Sequence, residues 1–251
     1  MKKSFFSLTV LLIVALCTKA QSVPGAYNRR AVFQANIPTT SFTVPTGVTL
    51  IYFEACSGGG GRGGSYFTAT PQYFWGGGGG GGAFLRGYLN VSAGQVITVS
   101  VGNGGTNGSN GLASTGTVAR PGNAGAPTSL SVSGTVAFTL TGGQPGNGAT
   151  ATGGGSPGVG GGLQSYNTPA VIVEQMNGFA GFPGSSTGSP NGDYSGVGGI
   201  VPKMGLHNYF FPFIHFVDGS PGHNMYYLAP YFGTGAGKGT PSSGGYVFLY
   251  W

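Results

Sequence analysis

Glycine decides what this chain can fold into. It accounts for 54 of the 251 residues, about three times the ~7% of an ordinary globular domain. It is gathered in runs such as Gly58 to Gly61, Gly76 to Gly82, Gly153 to Gly155 and Gly160 to Gly162, with no collagen-like period. Glycine loses more backbone freedom on ordering than any other residue, so isolated tracts of this kind read as linkers. The setting argues for order instead. Apolar, strand-like segments bracket the tracts, hydrophobic residues make up 39% of the chain and charged residues only 6%, the reverse of a disordered composition.

The strand-like segments alternate with period two. Val48, Leu50 and Tyr52 oppose Thr49, Ile51 and Phe53; Leu85, Gly87, Leu89 and Val91 oppose Arg86, Tyr88 and Asn90; Ile97, Val99 and Val101 oppose Val96, Thr98 and Ser100. Strands are also expected over 128–132 and 135–140, joined at Ser133-Gly134, and over the closing 245–251. No window shows a helical period. The expected class is all-β plus irregular coil, with almost no α-helix outside the signal peptide.

An extended helix of three residues per turn makes no internal hydrogen bonds. Only residues without side chains let neighbouring backbones approach closely enough to bond to one another. Short strands framing a bundle of polyglycine-II helices are therefore expected. The scaffold residues are Gly76, Gly77, Gly78, Gly79, Gly80, Gly81, Gly82, Gly153, Gly154, Gly155, Gly160, Gly161 and Gly162.

Residues 1–20 read as a secretory signal: Lys2 and Lys3 precede an apolar run, and Thr18-Lys19-Ala20 offers small residues at a cleavage site. Leu16 before Cys17 departs from a lipobox. Cleavage leaves seven basic residues against four acidic ones, so the pI near 9.4 overstates the basicity of the mature chain. Those cations are scattered, which argues against nucleic acid, and no later stretch is long and apolar enough to span a membrane. The expected location is secreted, extracellular or at a cell surface. Cys56 alone survives cleavage, so no internal disulfide is expected, and the residue reads as a small buried group at a strand end. After an N-terminal extension, 21–40, residues 41–251 are expected to form a single domain carrying an insert of irregular, aromatic loops at 163–232.

Motifs of chemistry are weak. Gly184-Ser185-Ser186-Thr187-Gly188 fits G-x-S-x-G, but that motif needs a strand-to-helix turn in an α/β sheet. His207, His215 and His223 with Asp218 match no common metal spacing. No enzyme, metal or cofactor is expected. The insert instead supplies candidate binding residues: Tyr209, Phe211, Phe213, Tyr226, Tyr227 and Tyr231 combine flat apolar rings with neighbouring polar groups, as recognition surfaces do. The same rings would also suit a hydrophobic core, and composition leaves both roles open.

One order of motifs is more specific. Ser41-Phe42-Thr43-Val44-Pro45-Thr46-Gly47-Val48 leads to a strand and Gly58 to Gly61. Gly76 to Gly82 then precede Leu85-Arg86-Gly87, followed by Val91-Ser92-Ala93-Gly94-Gln95, Val99-Ser100-Val101-Gly102-Asn103-Gly104-Gly105 and the final Gly244-Gly245-Tyr246-Val247-Phe248-Leu249-Tyr250. This order resembles the glycine-rich domain of bacteriophage tail-fibre tips and related bacterial surface proteins, over about 41–162 and 233–251. The resemblance implies strands around a polyglycine-II bundle, with variable loops that contact outer-membrane proteins or surface sugars. A signal peptide is foreign to a virion component, which shifts the expectation toward a bacterial secreted or cell-surface relative. The expected function is a rigid, non-enzymatic scaffold displaying aromatic loops for adhesion to a cell-surface protein or glycan. The alternative is a structural subunit that assembles with copies of itself into a fibre or matrix; a homo-oligomer fits either.

Overall fold

The computed structural model describes residues 29–35, 40–68, 73–185 and 242–251. Two five-stranded antiparallel sheets form one end of the molecule. The first has the order β1 (Arg30–Gln34), β13 (Tyr246–Tyr250), β3 (Leu50–Cys56), β6 (Phe84–Asn90), β12 (Ala170–Met176). The second runs β11 (Leu163–Tyr166), β10 (Thr135–Leu140), β9 (Thr128–Val132), β7 (Val96–Ser100), β2 (Thr40–Thr43).

The alternation read from the sequence sorts residues between faces. Ile51, Phe53, Leu85, Leu89, Val247 and Leu249 of the first sheet meet Ile97, Val99, Leu130, Val132, Phe138 and Leu140 of the second in one buried cluster. Phe53 and Phe138 stack with ring centroids 4.9 Å apart. Each large side chain buried in this way contributes about 1.5–3 kcal/mol. The first sheet's other face gathers Tyr52, Cys56, Phe84, Tyr246, Phe248 and Tyr250 in a second cluster. β9 turns into β10 through Ser133 at φ 49° and Gly134 at φ 84°, the pair of positive φ values that a two-residue hairpin turn requires.

Two expectations change. Residues 163–176, expected as the start of an irregular insert, form β11 and β12, each hydrogen-bonded into a sheet. β1 falls in the presumed N-terminal extension, yet pairs with β13 along its whole length, from Arg30 opposite Tyr250 to Gln34 opposite Tyr246.

Seven glycine segments leave the sheets and return. In chain order they cover 57–65, 75–83, 102–111, 119–127, 141–149, 153–162 and 177–185. Backbone hydrogen bonds between them recur at every third residue. Gly58, Gly61 and Gly64 of the first segment donate to Ala126, Asn123 and Arg120 of the fourth, while Gly60 and Gly63 donate to Gly80 and Gly77 of the second. Gly105, Gly108 and Gly111 of the third donate to Gly59, Arg62 and Ser65, and Gly143, Gly146 and Ala149 of the fifth to Gly58, Gly61 and Gly64. The sixth segment bonds to the second through Gly155, Gly158 and Gly161, and the seventh to the sixth through Gly178, Gly181 and Gly184.

Successive segments alternate in direction and form two rows, third–first–second–seventh over fourth–fifth–sixth. Every amide from Ser57 to Ser65 is bonded, those of Arg62 and Ser65 to the side chains of Asn107 and Asn110 at 3.1 and 2.9 Å. The donors of the first segment are therefore as fully satisfied as those of a central strand.

Candidate functional site

The end of the bundle remote from the two sheets carries an aromatic tip. The first segment runs out into β4 (Tyr66–Phe67), and β5 (Tyr73–Phe74) leads back into the second; β8 (Gly111–Leu112), at the end of the third, pairs parallel to β4. The short strands exist because the flanking glycine segments hold their ends in register. Tyr66 stands opposite Phe74 and Phe67 opposite Tyr73.

Cross-strand pairing brings the rings together. Phe67 and Tyr73 pack edge to face with centroids 5.3 Å apart, and Tyr73 stacks on Trp75 at 6.4 Å and 19° between planes. Both are arrangements aromatic pairs prefer. Phe74 and Trp75 are buried, whereas Tyr66, Phe67 and Tyr73 keep part of their surface in solvent. Gly111 makes room for one of these rings, because a Cβ there would lie 2.7 Å from the Tyr66 ring.

Hydroxyls and a guanidinium sit at the same end. A single 3-10 turn over Ala113–Thr115 caps the third segment, and exposed Thr115 and Thr117 share a 3.1 Å contact between their hydroxyls. Thr150 and Thr152 lie in the turn after the fifth segment, where the Thr150 amide donates to the Gly153 carbonyl. Arg120 is exposed and begins the return through the fourth segment. Arg62, half-buried in the first, has its charged form disfavoured by loss of solvent. The described acids, Glu54 and Glu174, lie instead in the first sheet, where Arg86 Nε meets Glu174 Oε2 at 2.6 Å. The tip offers apolar ring faces, hydroxyls and positive charge.

The candidate residues Tyr209, Phe211, Phe213, Tyr226, Tyr227 and Tyr231 lie outside the described residues, as do His207, His215, His223 and Asp218. Among the described residues no three metal-ligating side chains come together, and no described helix is long and apolar enough to cross a membrane. Ser185, the last described residue before them, accepts from the Trp75 amide at 3.0 Å, so the chain leaves the described part at this end. Ser242 takes it up again with its hydroxyl on the Gly105 carbonyl, and Ser243 follows beside Gly59.

The scaffold glycines fall in the second and sixth segments. Gly77 and Gly80 donate to Asn147 and Gln144, and Gly78 and Gly81 to Phe182 and Phe179. The aromatic tip itself escaped the sequence reading. Its signal was a Tyr-Phe pair repeated at 66–67 and 73–74 between two glycine runs, too short to show a period.

A family model described as a glycine-rich domain matches residues 35–247. Among curated proteins no relative matches the sequence. The family match runs from just after β1 to the second residue of β13 and takes in all seven glycine segments, and the chain belongs to this glycine-rich domain family.

Proposed function

We propose that this is an exported, non-enzymatic surface protein in which a stiff glycine bundle holds an aromatic tip against a cell-surface protein or glycan. One observation carries the reading: Phe67, Tyr73 and Trp75 form a continuous ring cluster at the end of the bundle farthest from the hydrophobic core. Rings held by paired strands lose little freedom on contact, which favours binding. The glycine segments are read as polyglycine-II helices, since their bonds recur with that helix's three-residue period. At about 3.1 Å per residue the first segment would then set the tip ~25 Å from the sheets. The signal-like residues 1–20 support export, and variable loops that contact receptors are what the resemblance to tail-fibre tips implies.

Alanine at Phe67 and Tyr73 tests this. The purified double variant should bind bacterial cells or immobilised surface glycans roughly tenfold or more weakly, as loss of an aromatic hot spot does, with the two-sheet core still melting cooperatively. Undiminished binding would end the tip reading.

The runner-up is a subunit that assembles with copies of itself. It draws support from β12, an edge strand of the first sheet on which Val171 and Val173 are 51% and 56% exposed; open edges of this kind invite pairing between chains. Filaments that grow with protein concentration in sedimentation would favour assembly, and a monodisperse species would favour adhesion.

A further inference from the structure

We propose that the outer side of the seventh glycine segment is a second binding site, lateral to the tip, and that it takes a neutral, linear glycan along two exposed phenylalanine rings. The segment repeats a triplet, Gly178-Phe179-Ala180 and Gly181-Phe182-Pro183, closed by Gly184-Ser185. The first position of each triplet faces inward. The Gly178, Gly181 and Gly184 amides donate to the sixth segment, and a Cβ on any of the three would collide with a carbonyl of the second, that of Gly81, Gly78 or Trp75 in turn. Close approach therefore fixes glycine there.

The second position is free of that demand, yet it holds phenylalanine twice. The Phe179 and Phe182 carbonyls both accept from the second segment, from Gly81 and Gly78 at 2.9 Å each, so the two residues repeat one orientation and their side chains leave on one side. They are 53% and 55% exposed. Other segments carry polar side chains at exposed positions, among them Thr106, Asn123, Gln144 and Asn147. On the reading of the segments as polyglycine-II helices, one turn separates the two rings by about 9 Å. That spacing is comparable with two sugar units of an extended β-linked chain, so alternate sugars would each meet a ring.

Charge, area and chemistry select this occupant. Between Gln175 and Ser185 no residue is charged, so the surface suits a neutral partner and gives an ionic one nothing to pair with. It is also narrow. Two half-exposed rings offer roughly 150–250 Å² in all, judged from the area an aromatic side chain buries, against about 800 Å² on each side of a stable protein–protein interface. A slim ligand fits that area and a second copy of the chain does not. Sugar rings present C–H groups on one face, which the negative face of an aromatic ring attracts, and hydroxyls at the rim. Gln175 Nε2 donates to Asn177 Oδ1 at 3.5 Å, and this exposed pair stands at the sheet end of the row, ready to bond such hydroxyls.

Calorimetric titration of the purified full chain with β-1,4-linked oligosaccharides of glucose and of N-acetylglucosamine tests the assignment. A hexasaccharide of one series should bind, and its disaccharide, too short to cover both rings, roughly tenfold or more weakly. In a Phe179→Ala/Phe182→Ala variant the hexasaccharide affinity should fall roughly tenfold or more, as loss of an aromatic hot spot does, with the melting temperature unchanged because both rings point away from the bundle. Tyrosine at both positions keeps the flat faces and should keep the affinity. The Phe67→Ala/Tyr73→Ala variant should bind these sugars as before, which separates this site from the tip. Binding of neither series, or an affinity unchanged in the alanine variant, would overturn the proposal. Loss in the tip variant would assign the sugar to the tip, and a dimer that dissociates on alanine substitution would assign the rings to a second copy; either result overturns it as well.

Discussion

Gly60 donates its amide to the Gly80 carbonyl at 2.8 Å, and Gly80 donates its own to the Gln144 carbonyl at 2.9 Å. Three segments far apart in sequence are tied through one residue that has no side chain. A Cβ on Gly80 would collide with the Val159 carbonyl, and one on Gly60 with the Gln144 carbonyl. Both obstacles are backbone held in place by their own bonds, so neither yields as a flexible side chain would.

Gly80→Ala is therefore expected to destabilise the protein by about 3 kcal/mol or more, at or above the upper range of ordinary overpacking. Gly153→Ala is the matched control, because the single atom near its added methyl would be the Thr150 hydroxyl at 3.8 Å. There the smaller freedom of the unfolded chain should leave stability unchanged or raise it by about 0.4–1 kcal/mol. Urea unfolding of the two variants checks the contrast; equal losses would mean that the glycines are not required for close approach.

Two buried hydroxyls sit where the glycine segments meet the sheets. Ser57 Oγ donates to the Thr141 carbonyl at 2.7 Å and accepts from the Ala83 amide at 2.8 Å. Thr128 Oγ1 donates to the Cys56 carbonyl at 3.0 Å and accepts from the Gly102 amide at 2.9 Å. Thr128→Val keeps the shape and removes the hydroxyl, leaving the Gly102 amide unpaired at about 1–3 kcal/mol. A denaturation midpoint equal to that of the unaltered protein would show that the sheet and bundle are joined by packing alone.

The sheets were largely legible in the sequence, and the reason is side-chain alternation. β3, β6, β7, β9, β10 and β13 lie where period two places them, and the hairpin turns at Ser133-Gly134. β12 was hidden because its run Ala170–Met176 follows Pro169 at the start of a proline-rich stretch. β1 was hidden because a five-residue edge strand takes its meaning from β13, more than 200 positions away. Glycine tracts carry no side-chain pattern at all, so composition announced the bundle while the choice of neighbours came only with the backbone bonds. The tip aromatics form strands two residues long, below the reach of any periodicity.

Cys56 Sγ donates to the Ser57 carbonyl at 3.3 Å and is fully buried at the end of β3. Burial pushes its thiol well above the usual range, which suppresses the reactive thiolate. A thiol reagent at neutral pH should label Cys56 only as fast as the protein unfolds, with the rate rising in parallel with denaturant-induced unfolding. Rapid labelling under native conditions would place the thiol in an accessible environment.

The second face of the first sheet predicts an alkaline limit to stability. Tyr52 donates to Glu54 Oε1 at 2.9 Å; burial, then the negative charge of Glu54 and this hydrogen bond, raise its phenol strongly. Burial and Glu54 also push Tyr250 up to about 12. In the unfolded chain both phenols titrate near pH 10. Between about pH 10 and 12 the unfolded state has therefore released protons that the native state retains, and stability falls as pH rises through that window. Below about pH 10 the two phenols are protonated in both states and their contribution is complete. Urea midpoints followed from pH 9 to 12 should decline steeply in the unaltered protein and much less in a Tyr52→Phe/Tyr250→Phe variant. A decline of equal steepness in both would assign the alkaline loss to other groups and show that this aromatic face retains no protons of its own.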